Sequence, residues 1–288
     1  MPYGWKYRRK GNGKHMLLAI DVGNTNMVFG LYEAGEFVGS FRISTNGERT
    51  SDELGMIILQ YYSFLGRRAE DTSAVIIASV VPPVMYTLVN AIRKYLCLQP
   101  KCVGKDIDAG IVNLYNNPRE VGVDRLVNAV SAVEKYGKPL IIVDMGTAIT
   151  FDAIDRDGAY LGGAILPGIK IAMEALFQKA AKLPRIDIAP SAHAIGKTTV
   201  ESMQSGAVRG YVGALKGVIL DMKAEMDGQV RVIATGGMGR MMAQHCSLID
   251  EVDANLTLDG LLMIYDRNRE VFENTRIQRV LVDASEEV

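Results

Sequence analysis

The sequence is poor in the residues that form disulfide frameworks and metal clusters. Its 288 residues include only three cysteines and three histidines. The cysteines are odd in number and have no paired spacing, which argues against a disulfide framework and a structural zinc site. His245 and Cys246 are adjacent, but two neighbouring ligands do not complete a metal site. This cysteine usage is typical of a reducing compartment, and we expect a cytoplasmic protein.

The sequence also lacks a strong net charge and long apolar runs. A formal net charge of −1 gives no electrostatic reason to expect a nucleic-acid or membrane partner. No apolar run reaches the ~18–20 residues that a bilayer-spanning helix requires. Residues 1–15 contain five Lys/Arg and no acidic residue, but they lack the apolar core of a secretory signal. We interpret them as a disordered extension or an upstream-start segment, with a nucleic-acid-binding arm as the alternative.

What the sequence does contain is a repeated pattern of strands and helices. The stretch "LLAIDVGNTNMVFG" occupies residues 17–30, and "LIIVDMGTAITFDA" occupies residues 140–153. Each is an aliphatic strand followed by Asp, one apolar residue, Gly and a short polar group, and Asp21 and Asp144 are 123 positions apart. A repeat of this length is a whole subdomain rather than a solenoid unit. The composition, 48% hydrophobic and 23% charged, suits one large domain or two of ordinary size.

These features predict an α/β fold of two similar subdomains, each a mixed sheet flanked by helices, with a cleft between them. We assign residues 16–137 to the N-terminal subdomain, 138–272 to the C-terminal subdomain and 273–288 to a tail. Residues 107–125 look irregular and polar, and a helix is predicted over 126–136.

Capping signals locate two further helices. Ser51 can cap a helix in the first subdomain. The stretch "GKTT" at 196–199 ends like a phosphate-binding P-loop, but Ser191 stands where that motif needs glycine. Thr198 and Glu201 instead fit a capping box that opens the next helix. Glycines recur every three or four residues along that helix, which predicts close helix–helix contact within the chain or across a dimer, or else a locally flexible helix. They are Gly206, Gly210, Gly213 and Gly217.

The two aspartate–glycine turns have chemistry suited to a nucleotide. Glycine lets the backbone approach a ligand closely, and the N–H groups of such a turn can donate to phosphate oxygens. A carboxylate beside a phosphate requires a cation, so Asp21 is predicted to hold Mg²⁺ and Asp144 a second cation. A third glycine turn, at Gly236 and Gly237, can admit the flat face or the sugar of a nucleotide. One such motif alone indicates only a tight turn, but the three in this order favour an actin-like ATPase.

Longer motifs narrow this interpretation to one family. They are "DVGNTN" (21–26), "YNNPREVGVDR" (115–125), "DMGTAIT" (144–150), "GGAILPG" (162–168), "KLPRI" (182–186), "GKTTVESMQSG" (196–206) and "ATGG" (234–237). From Met16 to about Asn268, the chain resembles the type III pantothenate kinases of the actin-like ATPase superfamily, which also contains acetate and sugar kinases and Hsp70. The resemblance implies two ribonuclease H-like subdomains.

The resemblance also implies a reaction and a set of site residues. The reaction is ATP-dependent phosphorylation of the 4′-hydroxyl of pantothenate, the first step towards coenzyme A, by a homodimer that uses Mg²⁺ and a monovalent cation, K⁺ or NH₄⁺. Position by position, the proton acceptor corresponds to Asp124 and the monovalent-cation ligand to Asp144. The ATP contacts correspond to Asp21, Val22, Gly23, Asn24, Thr25, Asn26, Met27, Val28 and Thr147. The pantothenate contacts correspond to Tyr115, Gly122, Val123, Asp124, Arg125 and Thr199.

Several of these residues have structural alternatives. Arg125 can pair with the carboxylate of pantothenate, or it can form a structural pair with Glu120 or Asp124. Thr199 can help to present backbone N–H groups to an anion, or it can act only in capping. Tyr115 can contact the substrate or belong to the core. Val123 departs from the alanine that is common in the family and adds methyl groups beside the pocket.

Two other functions remain open at this stage. One is a different actin-fold phosphotransferase or phosphohydrolase, such as a sugar kinase. The other is a non-catalytic regulator, since some relatives of this family are described as accessory transcription factors. The presence of Asp21, Asp124 and Asp144 argues against a loss of catalysis.

Overall fold

The computed structural model describes residues 15–277, so most of the extension expected at 1–15 and of the tail expected at 273–288 lies outside the described residues. The strands are β1 (Met16–Val22), β2 (Asn26–Glu33), β3 (Glu36–Ser44), β4 (Thr72–Ser79), β5 (Lys101–Cys102), β6 (Leu140–Met145), β7 (Ala148–Ile154), β8 (Tyr160–Pro167), β9 (Arg231–Thr235) and β10 (Glu251–Val252). The helices are α1 (Ser51–Phe64), α2 (Pro82–Leu96), α3 (Val123–Tyr136), α4 (Ile169–Lys179), α5 (Thr199–Glu225), α6 (Gly239–Ala243) and α7 (Leu256–Arg267).

The chain forms two five-stranded sheets with the same topology. The first sheet has the order β3-β2-β1-β4-β5, and the second has the order β8-β7-β6-β9-β10 when it is read in the same sense. In each sheet the first three strands pair antiparallel. The fourth strand pairs in parallel with the central strand, and the fifth pairs in parallel with the fourth. The predicted α/β class, with mixed sheets and helices, is therefore confirmed.

The two sheets belong to two compact units whose limits differ from the assigned subdomains. Among the described residues, the first unit takes 15–109 and 257–277, and the second takes Gly110–Leu256. Helix α3, which follows the first sheet in the chain, is thus part of the second unit. Nearly all of α7, which follows the second sheet, is part of the first. Each sheet is therefore packed by a helix that the sequence repeat assigns to the other half.

The first unit forms around its central strand. Strand β1 lies between β2 and β4, so its aliphatic side chains are buried on both faces of the sheet. Phe29 on β2 stacks on Phe41 of β3, with ring centroids 4.4 Å apart. Helix α1 begins after Thr50, not Ser51, because Thr50 and Glu53 form the capping box. Gly55 on α1 faces the ring of Tyr95 on α2, where a Cβ would overlap the ring.

Helix boundaries in the second unit decide where the candidate residues lie. The helix predicted over 126–136 begins at Val123, so Asp124 lies in its first turn and not in an irregular segment. Helix α5 begins after Thr198, whose side chain accepts from the backbone N–H of Glu201, and the predicted capping box is confirmed. No helix among residues 15–277 is long and apolar enough to cross a membrane.

Candidate active site

The centre of the site is the end of strand β6, where Asp144 is the penultimate residue. The chain turns directly after it, and the backbone N–H of Gly146 donates to the carbonyl of Ala148 at 3.0 Å. The segment that follows β9 passes beside the same carboxylate at Gly236. A Cβ on Gly236 would lie 2.5 Å from Asp144 Oδ1, and its φ of +84° lies in the region that favours glycine. Glycine at this position therefore keeps space for the Asp144 carboxylate.

Helix α3 brings two polar side chains to Asp144. Asn128 is buried and donates from Nδ2 to Asp144 Oδ2 at 3.4 Å. Asp124 lies one turn earlier, and its Oδ1 accepts from the backbone N–H of Arg125 at 2.9 Å. Gly122 is the N-cap residue and has no side chain to cap the helix. The N–H of Arg125 in the first turn is instead shared between the Asp124 carboxylate and the carbonyl of Gly122, to which it donates at 3.1 Å.

The carboxylates are close enough to perturb one another. Burial raises the pKa of Asp124, and its interactions with Arg125 oppose that shift only in part. Burial, together with the negative charges of Asp124 and Asp152, raises the pKa of Asp144 to about 7. Such mutual repulsion in a low-dielectric site indicates an arrangement that a bound cation would stabilise.

A buried ion pair lies beside this cluster. Arg125 Nε donates to Asp152 Oδ1 at 2.6 Å, and Nη2 donates to the carbonyl of Phe151 at 3.2 Å. The hydroxyl of Tyr160 donates to the same Asp152 oxygen at 2.8 Å. Asp152 is fully buried, and that burial raises its pKa although Arg125 and Tyr160 favour the charged form. The side chain of Arg125 thus pairs with Asp152, not with Glu120 or Asp124.

Tyr115 packs at the outer edge of this ion pair. Its ring centroid is 6.4 Å from that of Tyr160, and a Cβ added at Gly162 would lie 3.5 Å from its ring. Gly163 lies opposite Asp152 in the sheet, where a Cβ would overlap the carbonyl oxygen of Phe151. The two glycines of β8, Gly162 and Gly163, therefore leave space for the ring of Tyr115 and for the Arg125 side chain.

In the first unit, the turn after β1 corresponds to the turn after β6, and Thr45 holds it in place. Its Oγ1 donates to the carbonyl of Gly23 at 2.6 Å, and its backbone N–H donates to the carbonyl of Thr25 at 2.9 Å. Asn24 and Thr25 are exposed, whereas Val22 and Met27 are buried in the core. Because their side chains are buried, Val22 and Met27 can offer only backbone atoms to a nucleotide.

The remaining predicted residues lie around the second unit. Thr147 and Gly237 are exposed in turns, and the carbonyl of Thr147 accepts from the backbone N–H of Gly168 at 3.1 Å. Val123 is partly buried at the first position of α3. Thr199 is exposed as the first residue of α5, and within residues 15–277 no hydrogen bond joins it to Asp124 or Arg125.

The donor set fits a loosely held cation. Among the described residues, no group of three or more His, Cys, Asp or Glu side chains is arranged to hold a metal ion. An ion at Asp144 would therefore take its other oxygen ligands from water, backbone carbonyls or phosphate, as Mg²⁺ commonly does. Three neighbouring carboxylates and one guanidinium leave an excess of negative charge, which is consistent with such an ion.

None of the chemistry-bearing motifs in the sequence assigns a role to Asn128, Asp152 or Tyr160. A signal for Asp152 was present, because it is a carboxylate inside the apolar strand "ITFDAI", and buried carboxylates are almost always paired. The identity of its partner depends on how α3 packs on β7, which the local sequence does not encode.

Similarity to known proteins identifies the family of the chain. The family model of type III pantothenate kinase matches residues 17–221. The chain belongs to this family. A type III pantothenate kinase of Listeria monocytogenes is 48% identical over 258 residues, which cover 90% of this chain and 100% of that protein. That of Listeria welshimeri has the same identity and coverage.

Solved structures of other proteins resemble this chain in fold. A candidate Baf family transcriptional activator from Campylobacter jejuni aligns with a TM-score of 0.53 at 20% identity, covering 88% of this chain and 99% of that one. A candidate 2-dehydro-3-deoxygalactonokinase from Sinorhizobium meliloti aligns with a TM-score of 0.54 at 11% identity, covering 88% and 96%. At these identities the similarity is one of fold alone, and it agrees with the α/β architecture of two mixed sheets flanked by helices.

Proposed function

We propose that this chain transfers the γ-phosphoryl group of ATP to the 4′-hydroxyl of pantothenate, in the cytoplasm, as the first step towards coenzyme A. Membership of the type III pantothenate kinase family supports the substrate and the reaction. The observation that carries the proposal is the position of Asp124 in the first turn of α3, in the same negatively charged cluster as Asp144.

In this proposal, Asp124 accepts the proton of the attacking hydroxyl. One of its oxygens is held by the backbone N–H of Arg125, which fixes the direction of the carboxyl group. Burial raises its pKa, so the carboxylate is a stronger base than an exposed one. Kinases gain most of their rate from positioning and charge neutralisation, so a modest base in the correct place is sufficient.

Two carboxylates are proposed as cation ligands. Asp144 would hold K⁺ or NH₄⁺, and Asp21, at the end of β1, would hold Mg²⁺. When bound, these ions neutralise charge on the phosphate oxygens. The repulsion that raises the pKa of Asp144 supports this role, because a cation at that position would relieve it.

The ligand contacts are assigned from the motifs and their geometry. The turn from Asp21 to Val28, together with Thr147, would contact the phosphates, and Gly236 and Gly237 would admit the nucleoside. Tyr115, the segment Gly122–Arg125 and Thr199 would contact pantothenate. The backbone N–H groups of these exposed turns suit anionic oxygens.

Helix α5 supports a homodimer. At each of its four central glycines, a Cβ would have no heavy atom within 4 Å, apart from the helix's own backbone, among the described residues. Leu220 on the same helix is 54% exposed. A helix face of glycines beside exposed aliphatic side chains permits close approach of a second copy.

The decisive experiment is a coupled assay with ATP and one acceptor at a time: pantothenate, a panel of sugars, and acetate. We expect turnover with pantothenate and with none of the other acceptors. Turnover with a sugar or acetate, and none with pantothenate, would contradict the proposal. Asp124→Asn should lower kcat by roughly 10²–10⁴-fold without loss of the folded state. Asp187→Asn, at an exposed position in the same unit, is the matched control and should keep normal turnover.

A further inference from the structure

The ion pair at the start of α3 contains a carboxylate to which the family resemblance assigns no role. We propose that Asp152, together with Tyr160, is a positioning residue that orients Arg125 towards the carboxylate of pantothenate. This inference rests on the proposed function and deepens it, because it names what sets the preference for an acidic substrate.

Asp152 is built into the sheet as a fixed acceptor. It has no exposed surface, and Oδ1 accepts from both Arg125 Nε and Tyr160 Oη. Its other oxygen accepts from Thr150 Oγ1 at 3.3 Å. A buried carboxylate with three donors, one of them a guanidinium, is fully satisfied and has little freedom to move.

Arg125 is held on one edge and left available on the other. Nε is bonded to Asp152, and Nη2 is bonded to the carbonyl of Phe151. The ring of Tyr160 lies 5.7 Å from the guanidinium carbon. No hydrogen bond to Nη1 is found within residues 15–277. A guanidinium fixed in this way can donate from Nη1 to a carboxylate without first losing side-chain freedom.

The Asp152–Tyr160 pair also supports Tyr115, the second proposed contact to pantothenate. The ring of Tyr115 packs on Tyr160, and Gly163 leaves space for Arg125, since a Cβ there would lie 2.9 Å from Nη2. Tyr115 and Arg125 come from different segments of the chain, and they converge on the Asp152–Tyr160 pair. A change at Asp152 should therefore affect pantothenate and leave ATP unaffected.

The alternative is that Asp152 serves only the fold, since buried ion pairs are often purely structural. The chain provides a matched control at the other end of α3. Asp253 accepts from Lys135 Nζ at 2.6 Å and from the hydroxyl of Tyr136 at 2.9 Å. Arg125 and Lys135 are ten residues apart, which is about 15 Å along the helix. This second carboxylate–cation–tyrosine group has the same chemistry and contains none of the proposed site residues.

The test compares Asp152→Asn, Tyr160→Phe and Asp253→Asn in steady-state kinetics. The acceptors are pantothenate and the alcohol analogue in which a hydroxymethyl group replaces the carboxylate. For Asp152→Asn, we expect the KM for pantothenate to rise about 10-fold or more and the preference over the alcohol to fall by a similar factor, as for a lost charged hydrogen bond. The KM for ATP should change by less than about 2-fold. Tyr160→Phe should act in the same direction by roughly 3-fold.

The outcomes separate the alternatives. Asp253→Asn should lower the thermal midpoint without changing either KM or the acceptor preference. If folded Asp152→Asn behaves like Asp253→Asn, with unchanged KM and preference, the positioning role is wrong. If Asp152→Asn does not fold, unchanged KM and preference in Tyr160→Phe overturn the proposal in the same way. If the wild-type chain fails to phosphorylate pantothenate, the proposed function itself is wrong, and that result is distinct from either of these.

Discussion

The two units have the same sheet but differ in what packs against it at one matched position. In the first sheet, Gly30 lies opposite Ala19 and admits Leu258 of α7, because a Cβ there would lie 2.8 Å from that side chain. In the second sheet, the corresponding residue is Asp152, which lies opposite Ile142 and accepts from Arg125 of α3. The same position in the sheet therefore makes an apolar contact in the first unit and a buried ion pair in the second. The repeat therefore provides the scaffold, and the packing helix provides the chemistry.

A second matched position shows the same division. Ser79 is the last residue of β4, and it pairs with Val22, the residue that follows Asp21 in the chain. Its counterpart is Gly236, directly after β9. Beyond them, the N–H of Val80 donates to the carbonyl of Val22 at 3.2 Å, and the N–H of Met238 donates to that of Met145 at 3.3 Å. Both turns thus bond back to the central strand, one residue after Ser79 and two residues after Gly236, but only the second unit requires a residue without a side chain at this position.

The comparison is tested by the largest effect on stability, which we expect when a methyl group is added at Gly236. Gly236→Ala should cost about 2–4 kcal/mol of unfolding free energy, because it combines a left-handed backbone with a Cβ against Asp144. Ser79→Ala loses only the hydrogen bond that the N–H of Val81 donates to the Ser79 hydroxyl oxygen, and it should cost about 0.5–1.5 kcal/mol. Urea unfolding of both variants measures the difference, and equal costs would mean that the two strand ends are equivalent.

A smaller and pH-dependent effect is expected at Asp144. Its native pKa of about 7 lies above the ordinary 3.8, so the stability associated with its neutral form is present at low pH and is lost as the pH rises through 7. Asp144→Asn cannot ionise. At pH 8, without K⁺ or NH₄⁺, it should be more stable than the wild type by about 1 kcal/mol or more, with an upper limit of about 4 kcal/mol.

The control for this prediction is the same pair of proteins at pH 4, where their difference should be smallest. Thermal unfolding at the two pH values measures it. A variant that is no more stable than the wild type at pH 8 would show that the carboxylate cluster is not repulsive. Because the same variant lacks the proposed cation ligand, we also expect it to lose the response of kcat to K⁺.

The smallest effect concerns a feature that the first unit lacks, the glycine face of α5. Alanine has the higher helix propensity by ~1 kcal/mol, so Gly210→Ala should stabilise an isolated helix. If a second copy packs there, the added methyl group should instead weaken the dimer by about 1 kcal/mol, or roughly 5-fold in the dissociation constant. Sedimentation across a concentration series distinguishes the two results. Gly47→Ala, in an exposed loop of the first unit, is the control and should leave the dissociation constant unchanged.

The repeated strands were predictable because their signal is local. An aliphatic run that ends in Asp and Gly has the same meaning in both halves, and the register confirms it, with Asp21 opposite Val28 and Asp144 opposite Thr150. The start of α5 was predictable for a similar reason, since Thr198 and Glu201 form a complete capping box.

The predicted start of α3 is three residues later than the observed one for a physical reason. Its N-cap is Gly122, which has no side-chain acceptor, so the usual cap signal is absent. At α1 the signal was present but assigned to the neighbouring residue, because Glu53 stands three residues after Thr50 and not after Ser51. The position of Asp124 in a helical first turn follows only from the structure.

Motifs identified Asp124 and Asp144, but they did not identify what surrounds them. The pairing of Arg125 with Asp152 joins a helix to a strand that lies 27 residues further along the chain, so no local pattern encodes it. The limits of the units differ for the same reason. Periodicity detects where strands recur, whereas the packing of α3 and α7 is decided by long-range contacts.

The allocation of α7 to the first unit has a consequence for biosynthesis. On the ribosome, residues 15–109 emerge well before Leu258, which fills the space above Gly30. At ~5–20 residues per second, the intervening 147 residues take about 7–30 s to translate. During that interval the first sheet exposes an apolar face that its own segment cannot cover. The second unit is contiguous in the chain, so the half of the protein that is translated later can be the first to complete its fold.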